Sequence, residues 1–380
     1  MSKDKNECGA CGLPRRLSRD LEWTEGGNIY TRFKPRRQAL FLEHRELGLL
    51  VEGALARGGA ELAGRLSQAR RRYLRHRTYQ QVEGFGSGLL RRKSLGRRAV
   101  IYALEEAKLF GLGHLTSEEV DPGKHLRLEM SHPYHPRLLA DDLAGFWEGL
   151  FRVEAKISLE QKGPQSWILE LTGGTEIGHG LLEQRNLLEK HPGKRDRRME
   201  RCPSCGLPAA LSGLSWDPSK GTIYDPGRNR YLVIMEAVGM GLLVKELRSF
   251  LGEEYGAAAR AAFAASLNDG YSSPAKTPTL EGLLGEWPAL GWGEASIASR
   301  RPFLDEVDIK NPALPSFSEQ KVAALRQLEE GEAMGCESVS FDEVFRVRVG
   351  PLLSDYSMNL ETLRKRFPQL LQYPQSFLPF

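Results

Sequence analysis

The sequence predicts an α+β fold: two tandem related domains, each an antiparallel sheet packed with helices, joined by a pair of zinc knuckles. Three observations lead there. First, CGACGLPRRLSRDLEWTEGGNIY (Cys8 to Tyr30) is written again as CPSCGLPAALSGLSWDPSKGTIY (Cys202 to Tyr224). Second, the same succession of patterns follows each copy, and an internal repeat of this kind decides the fold before any single element does. Third, 380 residues are long for one domain and comfortable for two.

Each copy opens with C-x-x-C-G-L-P and reads on through a Trp and a Gly to Ile-Tyr, a hairpin-like start. Next comes a long helical pattern rich in Leu, Ala, Glu and Arg. A G-x-G follows, Gly111-Leu-Gly113 in the first copy and Gly291-Trp-Gly293 in the second. Two alternating runs then predict strands, HLTSEEV with KHLRLEMS and EASIASR with FLDEVDIK. Both pairs end at a proline turn, SHPYHP and KNPALP. A helix is predicted at RLLADDLAGFWEGLF and at SEQKVAALRQLEEGEA. Two further strands close each copy, EAKISLEQ with SWILELT and CESVSFDE with FRVRVG. The expected division is residues 1–172 as the first repeat, 173–200 as a Gly-flanked charged linker, 201–350 as a diverged second repeat and 351–380 as a C-terminal tail.

Composition bounds the function. Apolar residues make up 41% and charged residues 27%, enough for a core in each half. No apolar run of eighteen residues occurs, so no membrane span is expected. The polar start MSKDKNE lacks the apolar core of a signal peptide, and a cytoplasmic protein is expected. The net charge of +4 is uneven: residues 1–200 carry 35 Lys and Arg against 27 Asp and Glu, and residues 201–380 carry 18 against 22. A basic first half can meet nucleic acid, an acidic partner or the second half. The basic runs ARRRYLRHRTY (Ala69–Tyr79) and RRKSLGRR (Arg91–Arg98) are read as solvated faces or seats for an acidic partner, with nucleic acid as the alternative.

Four of the five cysteines form two C-x-x-C pairs. Two cysteines on a tight turn aim both thiolates at one point, and Gly12 and Gly206 follow the second cysteine of each pair. A tetrahedral zinc needs four ligands and each knuckle supplies two. The expectation is one structural zinc site made of Cys8, Cys11, Cys202 and Cys205, half from each repeat. A redox pair is the alternative, but neither C-x-x-C opens a helix after a strand. Empty, vestigial pairs are the other alternative.

The segment from Gly111 to Thr172 resembles the 4-vinyl reductase domain, the predicted hydrocarbon-binding domain of bacteria and archaea. The resemblance is carried by the G-x-G, the strand pair, the helix bearing Gly145 and Gly149 and the closing strand pair. Residues 291–350 resemble it more faintly, and the C-x-x-C-G leader resembles zinc-knuckle extensions of some such proteins. Together these cover about two thirds of the chain. The resemblance implies a fold shared with aromatic-sensing domains of bacterial regulators and with transport-particle subunits. Such domains bind a small apolar molecule between helices and sheet, or dimerise as scaffolds. Regulatory members also hold zinc through cysteines near the domain's end. Here the first repeat has no cysteine after Cys11 and the second only Cys336, so that site is not implied.

His132 and His135 flank Tyr134 in the proline turn, where a plain loop is the simpler reading and a pocket wall the functional one. Phe146 and Trp147 lie on a predicted helix whose aromatic stripe reads as core. If the domain holds an aromatic ligand, His132, His135, Phe146, Trp147 and Trp292 are its candidate binding residues. Enzyme signatures are missing: there is no P-loop, no three-glycine dinucleotide fingerprint, no G-x-S-x-G and no H-E-x-x-H. The expected function is therefore a non-catalytic protein that binds a small hydrophobic or aromatic molecule, or an accessory protein, with a structural zinc. The alternatives are a scaffold subunit of a larger enzyme complex and a nucleic-acid-binding regulator. A protein partner or oligomer is expected in either of the first two cases.

Overall fold

The computed structural model describes residues 6–83, 90, 93–178, 199–270, 279–301, 304–330, 334–341 and 344–351. Most of the expected linker, the tail after Pro351 and Arg91–Arg92 of the second basic run lie outside the described residues. Among the described residues the chain is α+β, with eight α-helices and three antiparallel sheets.

The first copy begins with helix α1 (Arg15–Asp20) and strands β1 (Leu21–Trp23), β2 (Ile29–Thr31) and β3 (Gln38–Glu43). In the second copy a 3₁₀ turn (Ala209–Gly213) leads to β8 (Ser215–Asp217), β9 (Thr222–Asp225) and β10 (Arg230–Glu236). These two ribbons join into one six-stranded sheet, ordered β1-β2-β3-β10-β9-β8. The join is the antiparallel pair β3–β10, in which Phe41 faces Ile234, Leu40 faces Met235 and Leu42 faces Val233. Phe41 and Ile234 are corresponding residues of the two copies, so the register is a local twofold centred on that pair. All six residues of β3 are buried. An apolar run such as QALFLE is buried on both faces, and its edge needs a partner strand of the same kind.

Helix α2 (His44–Val82) leaves the sheet and breaks at Gly59 (φ 53°, ψ −140°). The second copy breaks at the corresponding Gly252 (φ 57°, ψ −127°), which separates α5 (Ala237–Leu251) from α6 (Glu254–Gly270). Helices α3 (Lys93–Leu109) and α7 (Leu280–Glu286) follow. Each copy then builds a four-stranded sheet crossed by one helix. In the first, β4 (His114–Asp121), β5 (His125–Ser131), α4 (Pro136–Phe151), β6 (Val153–Gly163) and β7 (Ser166–Glu176) give the order β4-β5-β7-β6. In the second, β11 (Glu294–Arg301), β12 (Leu304–Lys310), α8 (Pro315–Glu330), β13 (Met334–Phe341) and β14 (Val344–Pro351) give β11-β12-β14-β13. Strand β7 runs on through Glu176, so residues 173–176 of the expected linker belong to the sheet.

Helix α4 is the centre of the first copy. Pro136 opens it, a position that needs no N–H donor, and the His135 side chain accepts from the Leu138 N–H. One face covers Leu126, Leu128 and Met130, the inward residues of the alternating strand β5. The opposite face meets α2 with no side chain between the backbones. A Cβ on Gly145 would lie 2.5 Å from the Arg71 carbonyl oxygen, and one on Gly149 2.3 Å from that of Arg75. Only glycine at both positions allows this approach.

The copies then exchange contacts. The Trp216 indole donates to the Leu109 carbonyl (2.8 Å), the Ile234 N–H to Phe110 (2.8 Å) and the Gly113 N–H to Gly221 (3.1 Å). The mirror set joins the Trp23 indole to Ala289 (2.9 Å), the Phe41 N–H to Leu290 (2.8 Å) and the Gly293 N–H to Gly27 (2.9 Å). Each G-x-G turn thus docks on the other copy's hairpin. The Trp and Gly of the repeated leader are the groups that receive it.

Candidate metal centre

Each C-x-x-C is folded by the same two backbone bonds. Cys8 N–H donates to Leu13 and Gly12 N–H to Cys8, both at 2.8 Å. Cys202 N–H donates to Leu207 (2.8 Å) and Gly206 N–H to Cys202 (2.9 Å). Gly12 (φ 76°) and Gly206 (φ 74°) take the left-handed conformation that closes the turn. Leu13, Leu17, Leu207 and Leu211 bury themselves beneath the knuckles.

The two turns face one another. Cys8 Sγ lies 3.8 Å from Cys202 Sγ, Cys11 Sγ lies 3.5 Å from Cys205 Sγ, and all four sulfurs lie within 4.8 Å of one another. None is in a disulfide. Four sulfurs about 2.3 Å from a central ion have tetrahedral edges of about 3.8 Å. The cluster therefore has the size of a four-thiolate metal site, and it can hold a metal ion. N–H groups of Ala10 and Cys11 hold the Cys8 thiol down at about 5, and those of Cys205 and Ser204 lower Cys202. Burial pushes Cys11 up to about 12 and raises Cys205. One thiol of each knuckle is thus ready to ionise, and a cation would displace the proton of the other.

The remaining candidates divide. Phe146 lines a cavity of about 130 Å³ between α2, α3, α4 and the central sheet, together with Ala103, Ala107, Leu112 and Leu143 of its own copy. Ile234, Met235 and Glu236 of the second copy complete its wall. Trp147 is fully buried, packs on Phe151 at 4.5 Å, and its indole N–H has no partner among the described residues. His132 (φ 52°) borders a separate cleft of about 580 Å³ with His44, Tyr134 and Tyr231. His135 is buried and faces Glu52 across 3.1 Å. Trp292 is buried in the second copy, where it donates to the Phe41 carbonyl at 2.9 Å and stacks on Phe317.

Sequence reasoning missed the polar wall of the 130 Å³ cavity. Arg70, Tyr73 and Arg77 share one face of α2 at helical spacing. Arg70 makes a bidentate pair with Asp142 (2.7 Å twice), and Tyr134 donates to the same carboxylate at 2.8 Å. Tyr73 and Arg77 both donate to Glu236, and Arg77 reaches Glu106 at 3.5 Å. Arg71 and Arg75 face Glu148. The basic run of α2 thus spends four arginines on carboxylates, one of them in the second copy.

Next to this network, Ser67 donates to Asp141 at 2.5 Å while burial pushes the Asp141 carboxyl up to about 6. A carboxyl raised on folding stabilises when protonated. Its contribution is complete below about pH 4 and is lost as pH rises through 6. Asp141→Asn is expected to raise the melting temperature at pH 7.5, by a gain of at most about 3 kcal/mol, and to leave it unchanged at pH 4. Melts at the two pH values check this; equal shifts at both would contradict it.

No protein-family model, curated protein or solved structure matches this chain. No helix among the described residues is long and apolar enough to cross a membrane.

Proposed function

We propose that this chain is a non-catalytic protein in which one structural zinc fastens two copies of a single α+β design. Its body binds a small hydrophobic or aromatic molecule, or serves as an accessory protein that carries one. The single observation behind the zinc is the convergence of four sulfurs at tetrahedral spacing. Soft thiolates in a tetrahedral set favour zinc, and a closed four-thiolate sphere leaves no position for substrate, so the ion supports folding. The division into two units, the first carried to residue 176 by β7 and the second running from 201 to the end of β14 at 351, is supported by the matching sheet orders and matching glycine breaks. The β-β-α-β-β order also supports the resemblance to the 4-vinyl reductase domain, and with it a ligand held between helices and sheet. The cavity at Phe146 supports the small-molecule reading. The scaffold reading draws on α3, which exposes Leu95, Ile101 and Tyr102 to solvent.

Elemental analysis and native mass spectrometry of the full-length protein test this reading. One zinc per chain and a co-purified apolar molecule are expected. No metal, two metals, or iron with its visible thiolate absorption would refute the zinc site.

A further inference from the structure

The two copies differ where they should be most alike. Aligned on their G-x-G turns, Ala103, Ala107 and Leu112 of the first copy correspond to Leu283, Trp287 and Trp292 of the second. Aligned on Gly59 and Gly252, Arg70 and Tyr73 correspond to Phe263 and Ser266. In the first copy the small residues border the 130 Å³ cavity. In the second, Trp287, Trp292 and Phe263 are buried and form one aromatic cluster with Phe317, through the contacts Trp287–Trp292, Trp292–Phe317 and Phe263–Phe317 at centroid distances of 5.6, 5.9 and 4.7 Å. The large side chains occupy the positions that the alanines leave open.

We propose that the cavity of the first copy is the chain's ligand site, that the second copy's counterpart is closed by Trp287 and Trp292, and that the ligand is one uncharged, largely apolar molecule of benzene to benzyl alcohol size with a single polar group. The proposal rests on the small-molecule reading above. Size comes from the volume: apolar cavities of about 150 Å³ hold benzene. Neutrality comes from the wall. Arg70 is committed to Asp142, Arg77 and Arg37 to Glu236, and Arg77 also to Glu106, so three guanidinium groups meet three carboxylates and the charges there already balance one another. The single polar group comes from the long bond between two residues that both line the cavity, Arg77 to Glu106 at 3.5 Å, into which one hydroxyl fits. Ile234 and Met235 reach the cavity from the second copy, so the site is complete only when both copies are folded together.

Titration calorimetry of the full chain with benzyl alcohol, and with benzoate as its charged counterpart, tests the proposal. Saturable one-to-one binding of benzyl alcohol is expected, with benzoate at least tenfold weaker. The double variant Ala107→Trp/Leu112→Trp copies the second half into the first and is expected to weaken benzyl alcohol at least tenfold with unchanged far-ultraviolet circular dichroism. Ala103→Leu, the smaller filler, gives the same direction if the double variant does not fold. Undiminished affinity in the folded fillers would overturn the site assignment while leaving the small-molecule reading standing. A wild-type chain that binds neither probe and carries no co-purified molecule would overturn both. Benzoate binding as tightly as benzyl alcohol would overturn the neutral-ligand assignment alone.

Discussion

Cys8→Ser is expected to release the metal from the whole chain, and Cys202→Ser, 194 positions away in sequence, to do the same. Both sulfurs belong to one cluster, so either loss leaves three ligands and opens the same site. Structural four-ligand zinc sites contribute about 10 kcal/mol or more to folding. A loss of only half of that lowers the melting temperature of a domain this size by about 10 °C. Metal content below about one fifth of an equivalent and a drop of about that size are the expected pair of results, read by elemental analysis and thermal denaturation. If the wild type held two metals and Cys8→Ser and Cys202→Ser each kept one of them, each knuckle would have its own ion and the shared cluster would be refuted.

Arg70→Met is the second large effect. Arg70 and Asp142 are 3% and 7% exposed and joined by two short bonds, so removing the guanidinium strands a buried carboxylate with only Tyr134 beside it. Breaking a buried pair from one side costs about 3–5 kcal/mol. The double variant Arg70→Met/Asp142→Asn is expected to recover most of that, because neither charge remains to be satisfied. The surface pair Arg57–Glu254, more than half exposed on both sides, is the control, and its loss is expected to stay below about 1 kcal/mol. Urea denaturation of the cycle measures the coupling; equal losses in the single and double variants would show that Arg70 acts through packing alone. The second copy solves the same position differently. Lys321 stands where Asp142 stands, and Glu46 of the first copy reaches it at 2.7 Å. Glu46 in turn corresponds to Gly239, against which Arg70 and Tyr73 pack. Polarity has been exchanged between the copies without a charge being left unpaired.

Much of each copy is legible in sequence because strands β5 and β12 alternate and the helix after each is bounded by a proline turn. HLRLEMS buries every second residue, as such a run must when one face meets a helix. The meeting of the four cysteines is legible too, since two incomplete knuckles need each other's ligands. The central sheet is not. Strands β1, β2 and β8 have three residues each, too few for a period to emerge, and the pairing of β3 with β10 spans half the chain. Trp23 and Trp216 stand out as repeated letters, but nothing local says that each indole reaches a carbonyl of the other copy. Trp292 and Phe146 show the limit of composition. Both are aromatic, yet Trp292 is buried against Phe317 and Phe146 borders a cavity. The ARRRYLRHR run reads as solvated when charges are counted, and as a buried wall only when Arg70, Tyr73 and Arg77 are placed at helical spacing on one face.

The β3–β10 pair also sets the order of events at the ribosome. Strand β3 ends at Glu43, and its partner does not begin until Arg230. At about 5–20 residues per second, the first hairpin waits about 10–40 seconds for the strand that covers it. During that interval QALFLE presents an apolar open edge, the kind of surface on which nascent chains pair wrongly with their neighbours. A first half made alone leaves that edge open until a strand of the same kind covers it, and the local twofold of the β3–β10 pair makes β3 of a second copy such a strand.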